Sequence, residues 1–366
     1  VSDRPLHLLS RYAQSIVWLA RYMERIENLA RVIDVTETFS RTGAAGNAWR
    51  SVVQINADEE RFFERYAHAD ARSVSDFYVL DRDNPTSIAS MIMVARENAR
   101  TLRPLISTEM WSHINVFTNT VRQLRPADIG AANISGLCAM LKQQCQTHWG
   151  ITEGTFYRDQ GWYFYTIGKY LERGDQTTRL VDIKYHTLLP GDAAIGSAAD
   201  HSQWNAVLRA AAGYHAFRRA MPQGAFNPAS VAGFLLLNNA FPRSLVLTLR
   251  QVYGALNQLR TDYSLRGSEG CLERLDELRA ALADQTIEQI IIRGLHEFLD
   301  WVQRQLMFLH DDIANAFWRP RPMETTPTGA SAQQSLAPGS MTQSMGGMTQ
   351  SLEQVGTSQV PGQNQD

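Results

Sequence analysis

Cysteine is scarce in this chain, three residues in 366, at positions 138, 145 and 271. An odd number cannot all pair with one another. Cys138 and Cys145 stand two helical turns apart in a helical-looking run, about 10 Å of rise and too far for a disulfide. No Cys pair has the spacing of a structural zinc site. A surplus of one charge is also lacking. The formal net charge is −2, and with Glu324, Glu353 and Asp366 set aside residues 1–322 carry 34 acids against 35 bases. So even a balance excludes the marked basic surplus that phosphate-backbone binding needs, and nucleic acid is not expected as a main partner. The sequence shows no secretory-type leader and no apolar run long enough to span a bilayer. Together with the unpaired thiols, this gives the expectation of a soluble cytoplasmic protein with no membrane association. Strand-type alternation is scarce as well. Phe77-Tyr78-Val79-Leu80 is too short to carry a sheet, and no Gly-rich loop follows a strand, which excludes a Rossmann or P-loop site. Finally, residues 323–366 contain no aromatic residue, no Lys and no Arg. They cannot bury enough apolar surface to offset chain entropy, so a disordered low-complexity tail is expected there. The near-repeat of 340–344 and 347–351 within it reads as low-complexity drift.

What is abundant is helical periodicity. Ile16, Leu19, Met23, Ile26, Ala30 and Ile33 follow steps of three and four, which predicts an amphipathic helix over 11–39. Similar patterns predict helices over 47–70, 86–106, 109–124, 129–155, 161–188, 202–220, 228–239, 243–263, 269–283 and 286–317. Asn84-Pro85, Leu189-Pro190-Gly191-Asp192, Asn227-Pro228 and Phe241-Pro242 punctuate them. The expected fold is all-α: a bundle of about ten to eleven helices over residues 1–322, followed by the tail 323–366.

Two of these helices carry the same charged stripe, 148 residues apart. Residues 19–34 contain Tyr22, Glu24, Arg25, Glu27, Asn28, Arg31 and Asp34. Residues 167–182 contain Tyr170, Glu172, Arg173, Asp175, Gln176, Arg179 and Asp182 in the same register. Acid, acid, amide, Arg and acid at i, i+3, i+4, i+7 and i+10 line one face of a helix. The two stripe helices are therefore expected to pack near each other, within one chain or across a homo-oligomer interface. The spacing supports three readings. Glu27–Arg31 and Asp175–Arg179 form local i, i+4 pairs, worth only about 0.3–0.5 kcal/mol if exposed. Buried between two helices, the stripes would be a structural salt-bridge network. Alternatively they line a polar pocket or docking surface, with Glu24 and Glu172 as general bases and the arginines holding an anionic substrate.

A carboxylate-bridged metal bundle is a further alternative, because Glu24/Glu27 and Glu172/Asp175 give i, i+3 carboxylates. The Glu-x-x-His pairs of such bundles are missing, and the interspersed arginines neutralise the acids, so no metal or other cofactor is assigned. Asp182 with His186 and Glu109 with His113 are the remaining acid–His pairs. The cysteines lie in apolar helical runs, where a core thiol is the default, and no His forms a motif with a Ser or Cys nucleophile. The aromatics of 148–149 and 162–164 read as core packing. Pro242 begins a predicted helix and puts Arg243 in its first turn, against the helix dipole. It is held there by a carboxylate or an anionic ligand, or it is a surface residue.

These residues resemble the bacterial alpha-E domain family, named for helical content and glutamates. Leu9-Ser10-Arg11 matches the family's Leu-Ser-Arg opening. Residues Trp18 to Asn28 match Trp-Leu-Gly-Arg-Tyr-x-Glu-Arg-x-Glu-Asn, with Ala20 in place of Gly. The second motif resembles Ile167 to Asp175, and residues 95–100 and Asn239 with Pro242-Arg243-Ser244 are further echoes. Ala240-Phe241 separates Asn239 from that Pro, where the family more often has them adjacent. The resemblance covers nearly all of residues 8–320. It implies a gene-cluster or fusion association with a circularly permuted ATP-grasp protein, often with a transglutaminase-like protease and sometimes a proteasome-like hydrolase. The expected role is an accessory or regulatory subunit of an ATP-grasp amide- or peptide-ligase system. A stand-alone helical enzyme of peptide synthesis or turnover is the alternative.

Overall fold

The computed structural model describes residues 8–41, 48–187, 198–221, 226–265, 267–283 and 285–319. The predicted tail 323–366 and the turn 189–192 lie outside the described residues. All regular structure among the described residues is helical. In chain order it comprises α1 (Ser10–Ser40), α2 (Ala48–Ile55), α3 (Glu59–Phe63), α4 (Ala71–Ser75), a π-helical turn (Asp76–Leu80), α5 (Ile88–Thr101), α6 (Thr108–Arg122) and α7 (Ile134–Thr155). There follow α8 (Gln160–Thr187), α9 (Ala198–Ala210), α10 (Tyr214–Ala220), α11 (Pro228–Leu237), α12 (Leu245–Tyr263), α13 (Glu269–Ala283) and α14 (Ile287–Phe317).

Among the described residues, fourteen α-helices replace the expected ten to eleven. Two predicted helices, 47–70 and 202–220, each break where an alanine takes the left-handed conformation, Ala57 and Ala212, both at φ 55°. At each break the amide one residue further on reaches back five residues, Asp58 to the Val53 carbonyl at 3.2 Å and Gly213 to that of Leu208 at 2.6 Å. This closure satisfies the last free carbonyls of a helix and usually employs glycine. With alanine in that place, no stop signal is visible in the sequence. Asp70 starts α4 by a reciprocal cap with Ser73, and the π turn that follows carries Phe77, Tyr78 and Val79 into the core. Within α14, Gly294 at φ 109° and ψ 98° introduces a kink, a backbone conformation open chiefly to glycine.

The long helices α1 and α8 lie at the centre. Their partners advance together along the chain: the Leu8 amide donates to Gln160 Oε1, and Asn28 donates to Gln176. The two helices therefore run parallel. At their closest approach Gly168 sits on the α1 backbone, where a Cβ would fall 2.4 Å from the Val17 carbonyl oxygen. Only glycine fits. Helices α2, α5 and α7 pack against α1, while α11, α12 and α14 pack against α8. The α1 seam from Ile16 to Ile33 is accordingly buried, each such large apolar side chain contributing about 1.5–3 kcal/mol. Being enclosed on several sides also buries the polar stripe. Glu24, Glu27, Asn28, Glu172, Arg173 and Gln176 all lie in the interior, so each needs a partner there.

Candidate functional site

The central feature is a crossed pair of bidentate ion pairs. Arg25 of α1 donates from Nε and Nη2 to the two oxygens of Glu172, at 2.6 and 2.9 Å. Arg173 of α8 returns the same fork to Glu24, at 2.8 and 2.8 Å. Because the helices are parallel, each Glu-Arg dipeptide meets its own counterpart and exchanges partners with it. One turn further on, Asn28 Nδ2 donates to Gln176 Oε1 at 2.7 Å, and Gln176 Nε2 donates to Glu172 at 3.0 Å. Two planar forks fixed in register define both the rotation and the sliding of one helix against the other.

Each carboxylate has a further cation. Arg21 Nε donates to Glu172 Oε2 at 2.9 Å. Arg243 reaches Glu24 with Nη1 at 2.5 Å and Glu27 with Nη2 at 3.1 Å. Arg243 does not stand in the first turn of a helix, as the sequence led us to expect. Ser244 caps α12 through its side chain, so the helix begins at Leu245 and Arg243 lies in the preceding turn. That turn is closed by the Ser244 amide donating to the Phe241 carbonyl at 3.0 Å, and it follows a turn made by Asn238, whose Oδ1 accepts from the amides of Ala240 and Phe241 at 2.9 and 2.8 Å. It is tied to α8 by two further bonds, Thr177 Oγ1 to the Arg243 carbonyl and Arg173 Nη1 to the Pro242 carbonyl.

Both central carboxylates are completely buried, at 0 % exposure. Burial by itself would raise their pKa values. The adjoining guanidiniums override it: Arg173 and Arg243 hold Glu24 at about 2, and Arg25 and Arg21 hold Glu172 well below the usual carboxylate range. An ionised carboxylate whose oxygens are all occupied has no open face for a substrate proton. The general-base role weighed for Glu24 and Glu172 therefore draws no support from this geometry. What the arrangement does chemically is clamp, since removing one member strands a buried charge at about 3–5 kcal/mol.

The remaining stripe residues surround this clamp. Arg31 donates to Glu27 Oε1 from Nε and Nη2, at 3.1 and 2.5 Å, and Arg179 Nε donates to Asp175 at 2.9 Å. Tyr170 meets the network with its ring, and Tyr22 packs on Trp18, over which the Arg21 guanidinium lies. Tyr170 lies 5.3 Å from the Arg173 guanidinium and Tyr22 lies 5.4 Å from Trp18. Two members were not singled out from the sequence, Arg21 and Lys169, although both are basic and recur in register. Lys169 differs from its counterpart. Its Nζ lies over the Trp149 ring, 3.3 Å from the centroid. Burial, and then the charge of Arg173, push its amine down to about 7.

The other sequence candidates are placed elsewhere. Among the described residues no group of three or more His, Cys, Asp or Glu side chains could hold a metal ion. His113 Nε2 meets the Gln144 carbonyl at 2.9 Å, and Asp182 meets His296 Nδ1 at 2.8 Å; the His186 side chain lies outside the described residues. The three thiols are buried. Burial pushes Cys138 and Cys271 up to about 12 and Cys145 well above its ordinary value, so none is a ready nucleophile. No described helix is long and apolar enough to cross a membrane.

Residues 8–318 match the Alpha-E family, described as a predicted alpha-helical domain with a conserved ER motif. The chain belongs to the Alpha-E family. The Glu-Arg dipeptides of the clamp, Glu24-Arg25 and Glu172-Arg173, fit that description of the Alpha-E motif. Similar curated proteins are an uncharacterized protein of Mycobacterium bovis and uncharacterized proteins of two strains of Mycobacterium tuberculosis. Each is 23 % identical over 310 residues, which covers 78 % of this chain and 34 % of the relative. The Alpha-E chain thus spans about a third of the length of the curated relatives it matches. No solved structure matches it.

Proposed function

We propose that this chain is a cytoplasmic, non-catalytic helical module, the accessory or regulatory subunit of an ATP-grasp amide- or peptide-ligase system. The observation that carries this reading is the internal consumption of the motif. Glu24, Arg25, Glu172 and Arg173 are hydrogen-bonded to one another and to Arg21, Gln176, Arg243 and the Pro242 carbonyl inside the protein. A motif used in this way holds a shape, and the work of the shape falls to the surfaces it positions. The length of the mycobacterial relatives supports a module that acts beside other polypeptide, since about two thirds of each relative lies outside the match. The ATP-grasp assignment itself rests on the family resemblance. A transglutaminase-like protease or a proteasome-like hydrolase is a further partner on the same ground, and self-association is compatible with it. The enzyme alternative requires Glu24 or Glu172 to release a guanidinium before it could accept a proton.

Native co-purification through an N-terminal tag, followed by mass spectrometry, tests the proposal. Near-stoichiometric recovery of an ATP-grasp protein is the expected result, with loss of that partner's activity or stability when this chain is removed. An ATP-grasp protein that is fully active and stable alone would overturn it. So would a turnover by this chain that Glu24→Gln and Glu172→Gln abolish without unfolding it.

A further inference from the structure

Beyond the crossed pairs, toward the C-terminal part of α1, a cleft of about 640 Å³ lies among α1, α7, α9 and the start of α10. That volume falls within the ~300–1,000 Å³ of small-molecule sites. Its walls include three cations, Arg31, Lys142 and Arg209, and one acid, Asp34. The charge on these walls is only partly compensated. Glu27 Oε1, the acceptor for Arg31, also receives Arg243 Nη2 at 3.1 Å and Gln146 Nε2 at 3.5 Å, so one carboxylate is shared by two guanidiniums. Lys142 Nζ meets Asp34 Oδ2 at 2.6 Å, which leaves its other two N–H groups free for a ligand. Arg209 has no carboxylate among the described residues. Its guanidinium rests on the Tyr214 ring, 4.4 Å from the centroid, a stacking that orients the fork without neutralising it. Val35 supplies apolar wall between these groups.

We propose that this cleft binds a small organic polyanion, a phosphate ester or a polycarboxylate, with its charged groups on Arg31, Lys142 and Arg209 and its apolar body on Val35 and Ala206. The separation of charged rim and apolar wall matches a ligand that has both parts, and planar arginine forks suit phosphate and carboxylate oxygens alike. The inference stands apart from the accessory-subunit reading, because it needs no partner protein.

Calorimetric titration of the full chain with inorganic pyrophosphate, and separately with citrate, tests it. Binding of either probe, weakened by high salt, is expected. Arg209→Ala and Lys142→Met should each weaken it about tenfold, the loss of one charge-assisted contact, with the melting temperature unchanged. Preference for pyrophosphate would assign a phosphate ligand, and preference for citrate a carboxylate one. Arg260→Ala, an exposed arginine on α12 outside the cleft, should leave binding intact. Failure of both probes to bind overturns the proposal, as does an equal loss in all three variants, which would mark diffuse attraction to surface charge.

Discussion

Glu172 and Glu24 hold matching positions in the repeated motif, yet they are served differently. Glu172 takes both of its cations from α1, Arg21 and Arg25. Glu24 takes one from α8, Arg173, and the other from outside the helix pair, Arg243 in the turn before α12. Lys169, the counterpart of Arg21, is left on the Trp149 ring. One half of the seam is therefore a two-helix device, and the other binds a third segment of chain. The repetition of a motif does not imply repetition of its role, because a distant residue has taken over one of the two equivalent places. Parallel packing makes this visible, since it brings identical positions face to face.

The comparison can be broken most forcefully at the carboxylates. Glu172→Ala strands Arg21 and Arg25, and Glu24→Ala strands Arg173 and leaves Arg243 with Glu27 alone. Each should cost about 3–5 kcal/mol in urea unfolding. The two should part company in hydrogen exchange: Glu24→Ala is expected to loosen the amides of Ala240 and Phe241 more than Glu172→Ala, because of the two carboxylates Glu24 alone contacts Arg243. Identical exchange in both variants would show the halves to be equivalent after all.

Acid should reveal the same clamp. The folded Glu24 carboxyl lies at about 2 against an ordinary 4.5. A depressed carboxyl contributes its full stability above about 4.5 and loses it as the pH falls toward 2, a difference on the order of 3 kcal/mol. Glu172 acts in the same direction. Unfolding measured across that window should slope steeply in the native chain and less so in Glu24→Gln.

Arg243→Ala sharpens the asymmetry at smaller expense, about 1.5–3 kcal/mol for the charge-assisted bonds lost. With Arg243 gone, Lys169 loses one of the two guanidiniums that repel it, Arg173 remaining on Glu24. Its amine should rise from about 7, which an NMR titration of the Lys169 side chain reads directly. An unchanged titration would mean that Arg243 is not what displaces it.

Gly168→Ala addresses the other mismatch in the repeat, Gly168 against Ala20. The added methyl meets the Val17 carbonyl, so about 1–3 kcal/mol of overpacking is expected. The reverse change, Ala20→Gly, should cost the helix propensity of glycine and one buried methyl, roughly 1–2 kcal/mol together. Thermal melts that rank the two in the opposite order would place the close contact elsewhere.

The all-helical class was legible because apolar spacing of three and four needs no tertiary information. The local pairs Glu27–Arg31 and Asp175–Arg179 were legible for a similar reason, since the helical repeat alone brings i and i+4 together. The exchange of partners between Glu24, Arg25, Glu172 and Arg173 was not, because a sequence carries no register between two helices. Arg243 was harder still: its partner Glu24 lies 219 residues away, and Ser244 moved the start of α12 past it. The breaks at Ala57 and Ala212 escaped notice because alanine, the strongest helix former, stands where the backbone turns left-handed.

The parallel seam also sets an order of events during synthesis. Arg173 follows Glu24 by 149 residues, and Arg243 follows by 219. At about 5–20 residues per second, Glu24 is added to the chain roughly 7–30 s before Arg173 is. Through that interval Glu24 lacks the guanidiniums of Arg173 and Arg243, while α2, α5 and α7, which cover α1, are made. The ion pairs at the centre of the finished protein can therefore close only after α2, α5 and α7 have been made.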